Sequence, residues 1–271
     1  MITSISRGDL DLLKSIKKSF LSAIYLCGVI SLILPGTVYE RLGEFNSILV
    51  KCGTIIILFL ARLIYLRARK RIIIQSDKYR IVVEYGDILA ITDGKKVINF
   101  DECFTTDVGD KPFEIKKESI CGQFLERNPE LDIKKLLESN NVMSNSRIQK
   151  KKCYEPGTIV PYNDFLLMAF AKIDKDGLGM FSSRDEYLAC LSKLWRELDK
   201  YYGQQDVFIP VLGAGLTRIG TKSGDSPSKQ ELVNIIVGSY KLSSSKIKKP
   251  YSLHIVCSHS DDFSFSKIDG F

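Results

Sequence analysis

The sequence predicts an α/β protein. A layered-sheet domain over residues 72–271 stands behind a two-helix membrane hairpin at 19–71 and a polar N-terminal segment at 1–18. Three observations carry this reading. Val207 to Leu212 is an apolar run of strand length with no polar alternation, which suits a strand buried on both faces. From Ile72 onward, strand-like and helix-like stretches alternate, the pattern of a sheet covered by helices. Ahead of Ile72 lie two apolar stretches, each about the 20 residues that cross a bilayer.

The hairpin comes first in the chain. Residues 1–18 carry Arg7, Lys14, Lys17 and Lys18 against Asp9 and Asp11, and Ser19 to Tyr39 then holds no charged side chain. A signal peptide would share the basic start, but no small-residue cleavage site stands out after Leu34 and a second apolar stretch follows. That stretch, from about Phe45 to Leu66, carries Lys51 and Arg62. The two are about 16 Å apart along a helix, so each sits near one end of a span centred on Ile56 and can snorkel outward. The alternative, a long buried helix of a soluble protein, explains one such stretch better than two joined by a short turn. Basic residues precede the first span, and Arg67, Arg69, Lys70 and Arg71 follow the second. Positive residues favour the cytoplasmic side, which predicts a two-pass protein of the cell membrane with both termini cytoplasmic. Cys27-Gly28 and Cys52-Gly53 supply small residues where helices can approach closely, and a homo-oligomer is expected.

Composition limits the chemistry. The net charge is +7, from 39 basic and 32 acidic residues, a mild balance. Seven cysteines (27, 52, 103, 121, 153, 190, 257) are scattered, odd in number and without a Cys-x-x-Cys. This argues against a disulfide framework and a zinc site, and for reduced thiols. With only His254 and His259 present, histidine-based metal or triad chemistry is poorly supplied. The basic runs Lys150 to Lys152 and Lys246 to Lys249 are not interleaved with aromatics as stacking platforms are, so no nucleic-acid partner is expected.

Within the α/β domain, Arg71 to Gln75 and Tyr79 to Tyr85 are β-branched and aromatic, as strands are. Lys96 to Phe100 is a third strand, ending in a polar loop from Asp101 to Asp110. Helices follow at about 117–127 and 130–139, broken by Pro129. Residues 140–152 read as a basic loop with a short turn of helix. Strands are expected from Gly157 and from Asp164 to Ile173. Ser183-x-x-Glu186 is a capping box opening a helix to Tyr202. Its Tyr187, Leu188, Leu191, Leu194, Trp195 and Leu198 recur at helical spacing, which makes Trp195 a core residue. Ser226-Pro227 reads as an N-cap with proline at the first helical position. Leu253 to Cys257 is the last buried strand.

The chemistry concentrates where Val207 to Leu212 ends in Gly213-Ala214-Gly215. Two glycines around a tiny residue let backbone N–H groups crowd a ligand. Such a nest at the carboxyl end of a parallel strand is where α/β folds hold phosphates. A Gly-x-Gly alone is also an ordinary tight turn. So is Asp87 alone, after a strand.

Together the two motifs resemble the macro-domain family. The matching residues are Gly86-Asp87-Ile88 after an early strand and Pro210 to Leu216 after a late one. Pro156-Gly157-Thr158, the Leu166 to Asp174 strand and the helix with Leu194-Trp195 are similar to one divergent branch, the transmembrane–macro effectors of type II Thoeris anti-phage defence. The resemblance implies a macro-like three-layer α/β/α domain with a mixed sheet. It implies a ligand derived from ADP-ribose, with Asp87 taking the adenine amino group, Ile88 supporting the ring, and Gly213, Ala214, Gly215 and Leu216 cradling the diphosphate. It further implies a messenger made by a partner TIR-domain enzyme, histidine-linked ADP-ribose, and disruption of the lipid bilayer on binding. Macro-domain hydrolases carry a glycine-rich, Asn-rich loop after the strand that here ends Asn99-Phe100-Asp101. The glycines are missing. Asn99 and Asp101 are left to meet the distal ribose, and binding is expected rather than catalysis, with a membrane-tethered ADP-ribosyl hydrolase as the alternative. The Asp101-Glu102 pair is either a partner for an amine on the ligand or a solvated acidic loop. No catalytic residue, metal or resident cofactor is expected.

Overall fold

The computed structural model describes residues 70–144, 146–148, 151–174, 178–215, 217–220 and 226–258, a helical stretch at 52–61, and single positions elsewhere. The chain divides into two compact units, Arg71–Phe263 and Met1–Lys70 with Ser264–Phe271. In the second unit, the rings of Phe20 and Phe59 meet edge-on with centroids 5.9 Å apart. Among the described residues, no helix is long and apolar enough to cross a membrane. Most of the hairpin expected over 19–71 lies outside those residues.

The Arg71–Phe263 unit is built on a nine-stranded mixed sheet. Strands β1 (Arg71–Gln75), β2 (Arg80–Tyr85) and β3 (Lys95–Asp101) come first, followed by helices α1 (Ile120–Arg127) and α2 (Ile133–Ser139). Next are β4 (Ser146–Ile148), β5 (Lys151–Cys153), β6 (Ile159–Tyr162), β7 (Phe165–Ile173) and β8 (Gly179–Phe181). Helix α3 (Arg184–Tyr201), β9 (Val207–Pro210), β10 (Arg218–Ile219), α4 (Lys229–Leu242) and β11 (Leu253–Cys257) complete it. The sheet order is β1-β2-β11-β9-β3-β7-β8-β10, with β6 also paired to β7. The central pairs β2–β11, β11–β9, β9–β3 and β3–β7 are parallel. Their carboxyl ends therefore open on one side.

The sequence signals map onto this order through side-chain burial. All four residues of β9 are buried, as an unalternating apolar run in a parallel sheet demands. On one face, Phe100 of β3 and Leu167 and Ala169 of β7 pack with Phe124 of α1 and Leu137 of α2. On the other, Phe170 of β7 meets Tyr187 of α3 edge-on at 6.2 Å. Trp195 of α3 packs on Tyr240 of α4 at 5.0 Å and donates from Nε1 to Ser239 Oγ at 3.2 Å. Helices thus cover both faces, and the three-layer α/β/α arrangement is present.

Several local expectations need correction. The segment 140–152 contains no turn of helix beyond the end of α2 among its described residues. Ser146–Ile148 instead pairs antiparallel with Lys151–Cys153. Helix α4 is capped by Ser228, not Ser226. The Ser228 hydroxyl accepts from the Glu231 N–H, and Glu231 Oε2 accepts from the Ser228 N–H at 2.9 Å. This reciprocal box satisfies two otherwise orphaned donors, which a proline at the first helical position cannot match. At α3, Ser183 caps as expected, but Glu186 accepts from the N–H of Ser182 rather than closing the box on Ser183. Cys103 and Cys153 are joined in a disulfide. The Tyr154 N–H donates to the Glu102 carbonyl at 2.7 Å, which sets the two preceding and following cysteines side by side. A separation of 50 residues in sequence carries no sign of that contact.

Trp195→Ala should destabilise this unit by about 3–5 kcal/mol, the cost of emptying a large buried aromatic site. Ser228→Ala should cost about 1 kcal/mol through its cap. Urea unfolding followed by circular dichroism would measure both.

Candidate functional site

The site begins where β3 and β9 separate. They pair only at Lys95–Val207 and Lys96–Phe208, after which β3 continues along β7 and β9 along β11. Pro210 lies in the separated part. It has no N–H to donate, so a proline is tolerated in this central strand where the β3 side is unpaired. Into the opening falls a cavity of 870 Å³, within the size range of small-molecule sites.

The Gly-x-Gly stretch forms the floor's edge. Ala214 donates its N–H to the Val211 carbonyl at 3.1 Å, closing a β-turn with Gly213 third at φ +87°. A type II turn needs positive φ at that position. A Cβ there would also stand 3.1 Å from Ile219 Cδ1, so Gly213 is required by the fold. Gly215 is different. No described atom lies within 4 Å of a Cβ built on it, and it lines the cavity. Space kept open at a cavity wall fits the close approach of a ligand to backbone. Beneath the turn, the buried Tyr187 hydroxyl donates to the Leu212 carbonyl at 2.8 Å. Burial pushes that phenol well above its ordinary pKa, so it is a fixed donor. Leu216 lies outside the described residues.

Asp87 and Ile88 line the same cavity. The Gly86 N–H donates to the Cys257 carbonyl at 3.1 Å, which pins the end of β2 to the end of β11. Asp87 is exposed, and its Oδ1 accepts from the Leu89 N–H at 2.9 Å, capping a 3₁₀ turn at Ile88–Ala90. A carboxylate offers about four lone-pair sites, so this cap does not exhaust it. Ile88 is buried against Phe208 and Val256.

Asn99 and Asp101 also reach the cavity wall. The acidic pair is not a solvated loop. Asp101 Oδ1 accepts from the N–H groups of Cys103 at 2.8 Å and Thr105 at 3.0 Å. Glu102 is 4% exposed and accepts from the Ile173 N–H at 3.1 Å. Asp101 therefore organises the turn that leaves β3, and Glu102 ties that turn to β7. Burial raises the Glu102 carboxyl above its ordinary pKa, against the opposing pull of the Ile173 N–H and the Lys172 ammonium.

The residues without a sequence signal lie in two places. The segment 107–119 folds over the cavity, with Ile115 donating to Asp107 at 2.8 Å and Gly109 to Ile115 at 3.0 Å. Asp110, Lys111, Phe113, Glu114, Lys116 and Glu118 from this segment line the wall. Lys229, first residue of α4, and Ser258, just after β11, line it too, with Lys229 Nζ donating to Ser258 Oγ at 3.2 Å. A lysine three residues after Ser226, at a helix start near a Gly-x-Gly turn, was the readable signal for a cation at the cavity wall. Among the described residues, no group of three or more His, Cys, Asp or Glu is arranged to hold a metal ion.

A mixed α/β/α sheet with a glycine turn and a Gly-Asp-Ile corner facing one cavity at the parallel carboxyl ends is the architecture of a macro domain. Residues 81–258, more than half of the chain, match the family model described as "Thoeris protein ThsA, Macro domain", and the chain belongs to that family. It is similar to the Thoeris protein ThsA of Bacillus amyloliquefaciens (strain Y2), 27% identical over 227 residues that cover 79% of this chain and 74% of that protein. Among solved structures it is similar to a mutant of the Oceanobacillus iheyensis macrodomain, at 12% identity over 72% of this chain and 93% of that one, with a TM-score of 0.45. It is also similar to the macrodomain of Thermus aquaticus DarG, at 12% identity over 66% and 98%, with a TM-score of 0.39.

Gly213→Ala should destabilise the fold by about 1–2 kcal/mol, the cost of placing a side chain at left-handed φ. Gly215→Ala should change stability by less than about 0.5 kcal/mol. Thermal unfolding of the two variants separates a glycine the fold needs from one it does not. Glu102 gives a pH test. Its folded pKa lies above its unfolded value, so the folded state holds the proton more tightly. Its contribution to stability is full below the ordinary glutamate pKa and is lost as pH rises through the raised one. Glu102→Gln, which keeps an acceptor for Ile173, should leave stability at pH 7 equal or higher and remove that part of the slope. Urea titrations across this window would check it.

Proposed function

We propose that this chain is a membrane-anchored effector of anti-phage defence whose macro domain binds an ADP-ribose-derived messenger. The observation that carries the reading is the convergence of Asp87, Ile88, Gly213, Ala214 and Gly215 on one 870 Å³ cavity. Each fits one part of the ligand. The Asp87 carboxylate accepts from the exocyclic amine of adenine, and Ile88 supports the base. The glycine turn gives its backbone to the diphosphate, and Lys229 adds a positive charge to the same cavity. Asn99 and Asp101 sit toward the β3 end, where the distal ribose is expected. Membership of the ThsA macro-domain family supports the defence role.

The finer reading follows the family resemblance. The messenger is histidine-linked ADP-ribose made by a TIR-domain enzyme. Residues 19–71 form a two-span hairpin with both termini cytoplasmic, the chain acts as a homo-oligomer, and binding triggers disruption of the bilayer. A ligand shifts such an equilibrium only by its differential affinity for the two states. The second reading, an ADP-ribosyl hydrolase, draws on the carboxylates of Asp110, Glu114 and Glu118 in the cavity wall.

Calorimetric titration of the 271-residue chain in detergent is expected to show binding of ADP-ribose and of histidine-linked ADP-ribose, with both recovered intact. Asp87→Ala should weaken binding at least about tenfold, the worth of one charge-assisted hydrogen bond. Asp87→Asn keeps an acceptor for Leu89 and controls for the lost cap. Dye-loaded vesicles carrying the chain should leak when the messenger is added. Recovery of cleaved ligand would favour the hydrolase, and tight binding without leakage would sink the membrane-effector part.

A further inference from the structure

The segment between β3 and α1 contains a residue in a conformation its side chain disfavours. Lys111-Pro112-Phe113-Glu114 is a β-turn closed by the Glu114 N–H on the Lys111 carbonyl at 3.2 Å. The Lys111 N–H donates in return to Glu114 Oε2 at 2.9 Å. Pro112 suits the second position, and the third has φ +69°. Glycine is the residue such a turn asks for, and positive φ in a bulky residue is a genuine outlier. Here the position holds Phe113.

Ile115, two residues on, packs against the apolar cluster of β3, β7, α1 and α2, and Phe113 is not part of that cluster. It is half-buried and lines the cavity. A side chain kept where glycine is cheaper, at the wall of a ligand cavity, is strain held for binding.

The turn also has a place along the ligand. It is rooted through Ile115 in the β3–β7 cluster. On the Asp87 side, Ile88 packs on Phe208 and Val256 of β9 and β11, and Leu89 and Ile120 touch both groups. Strand β2, which delivers Asp87, is three strands away from β3, about 14 Å at the usual strand spacing.

We infer that Phe113 is a specificity-determining residue whose ring covers the end of the nucleotide farthest from adenine. This rests on the reading that the cavity binds an ADP-ribose derivative with its base at Asp87. The ring supplies a flat apolar face to the distal ribose and whatever it carries. The wall around it is charged, from Asp110, Lys111, Glu114 and Lys116, so Phe113 shields that end of the ligand from water.

The test uses the 271-residue chain, Phe113→Ala, Phe113→Gly and Phe113→Tyr, with ADP-ribose and AMP as probes. AMP keeps the adenine contact and lacks the distal ribose. Both ring deletions should weaken ADP-ribose about tenfold, as loss of a buried aromatic contact does, and change AMP by less than about twofold. Phe113→Tyr should restore ADP-ribose binding. Phe113→Gly should melt about 2–4 °C above Phe113→Ala, because the two share the lost ring and differ in the strain. Unchanged ADP-ribose affinity in Phe113→Ala overturns the inference and leaves the nucleotide reading standing. Equal loss for AMP and ADP-ribose places the ring at the base and also overturns it. Wild-type chain that binds neither probe overturns the nucleotide reading and this inference together.

Discussion

Strands β3 and β9 pair for two residues and then part, and the site depends on that separation. An interior parallel strand ordinarily hydrogen-bonds on both sides. Beyond Phe208, β9 keeps only its β11 neighbour, through Ile209 and Pro210. Pro210 lacks the donor that a full ladder needs, so the sequence itself disfavours closing the gap. The chain must then turn away without leaving buried backbone groups unpaired. Two bonds do this: Ala214 N–H to the Val211 carbonyl, and the Tyr187 hydroxyl to the Leu212 carbonyl. The second comes from α3, so the helix that buries Trp195 also holds the glycine turn in place.

How much of this was legible depends on where the information sits. The apolar run of β9 and the cap at Ser183 are local, and periodicity or residue type reveals them. The paired glycines are local too, but the sequence does not distinguish their roles. Gly213 serves a positive φ and a close Ile219, whereas Gly215 has open space around it. Short strands such as Gly179–Phe181 and Arg218–Ile219 exist because a partner strand passes by. Two or three residues carry no period of their own. The basic stretch ending at Lys152 was misread for the same reason, since its hairpin and the Cys103–Cys153 bond follow from the approach of Tyr154 to Glu102.

Charge was the least readable feature. An acidic pair after a strand looks like solvated surface, yet Asp101 and Glu102 accept three backbone N–H groups between them. Burying Glu102 raises its pKa, and the hydrogen bond from Ile173 offsets part of that cost. The other charged groups that line the cavity beside Asp101 come from Asp87, from the 107–119 segment and from Lys229. Asp101 both shapes the loop and reaches the cavity wall, and residues more distant in sequence line the rest of the space.

That loop shows how the missing glycines are replaced. Macro-domain hydrolases have a glycine run after the equivalent strand, which permits left-handed backbone freely. This chain reaches left-handed backbone there with Phe104, at φ +49°, and Phe113, at φ +69°. Each costs about 1–2 kcal/mol relative to glycine. Phe104 is 2% exposed and packs against Phe100 and Tyr154 at 5.6 and 5.5 Å. Full burial of an aromatic ring returns about 1.5–3 kcal/mol, which offsets its strain. Phe113 is only half-buried, and its ring returns less. Of two similar outliers in one loop, Phe104 is fully buried by folding and Phe113 keeps part of its surface exposed. Contact with a bound ligand would complete the burial that the folded chain leaves unfinished.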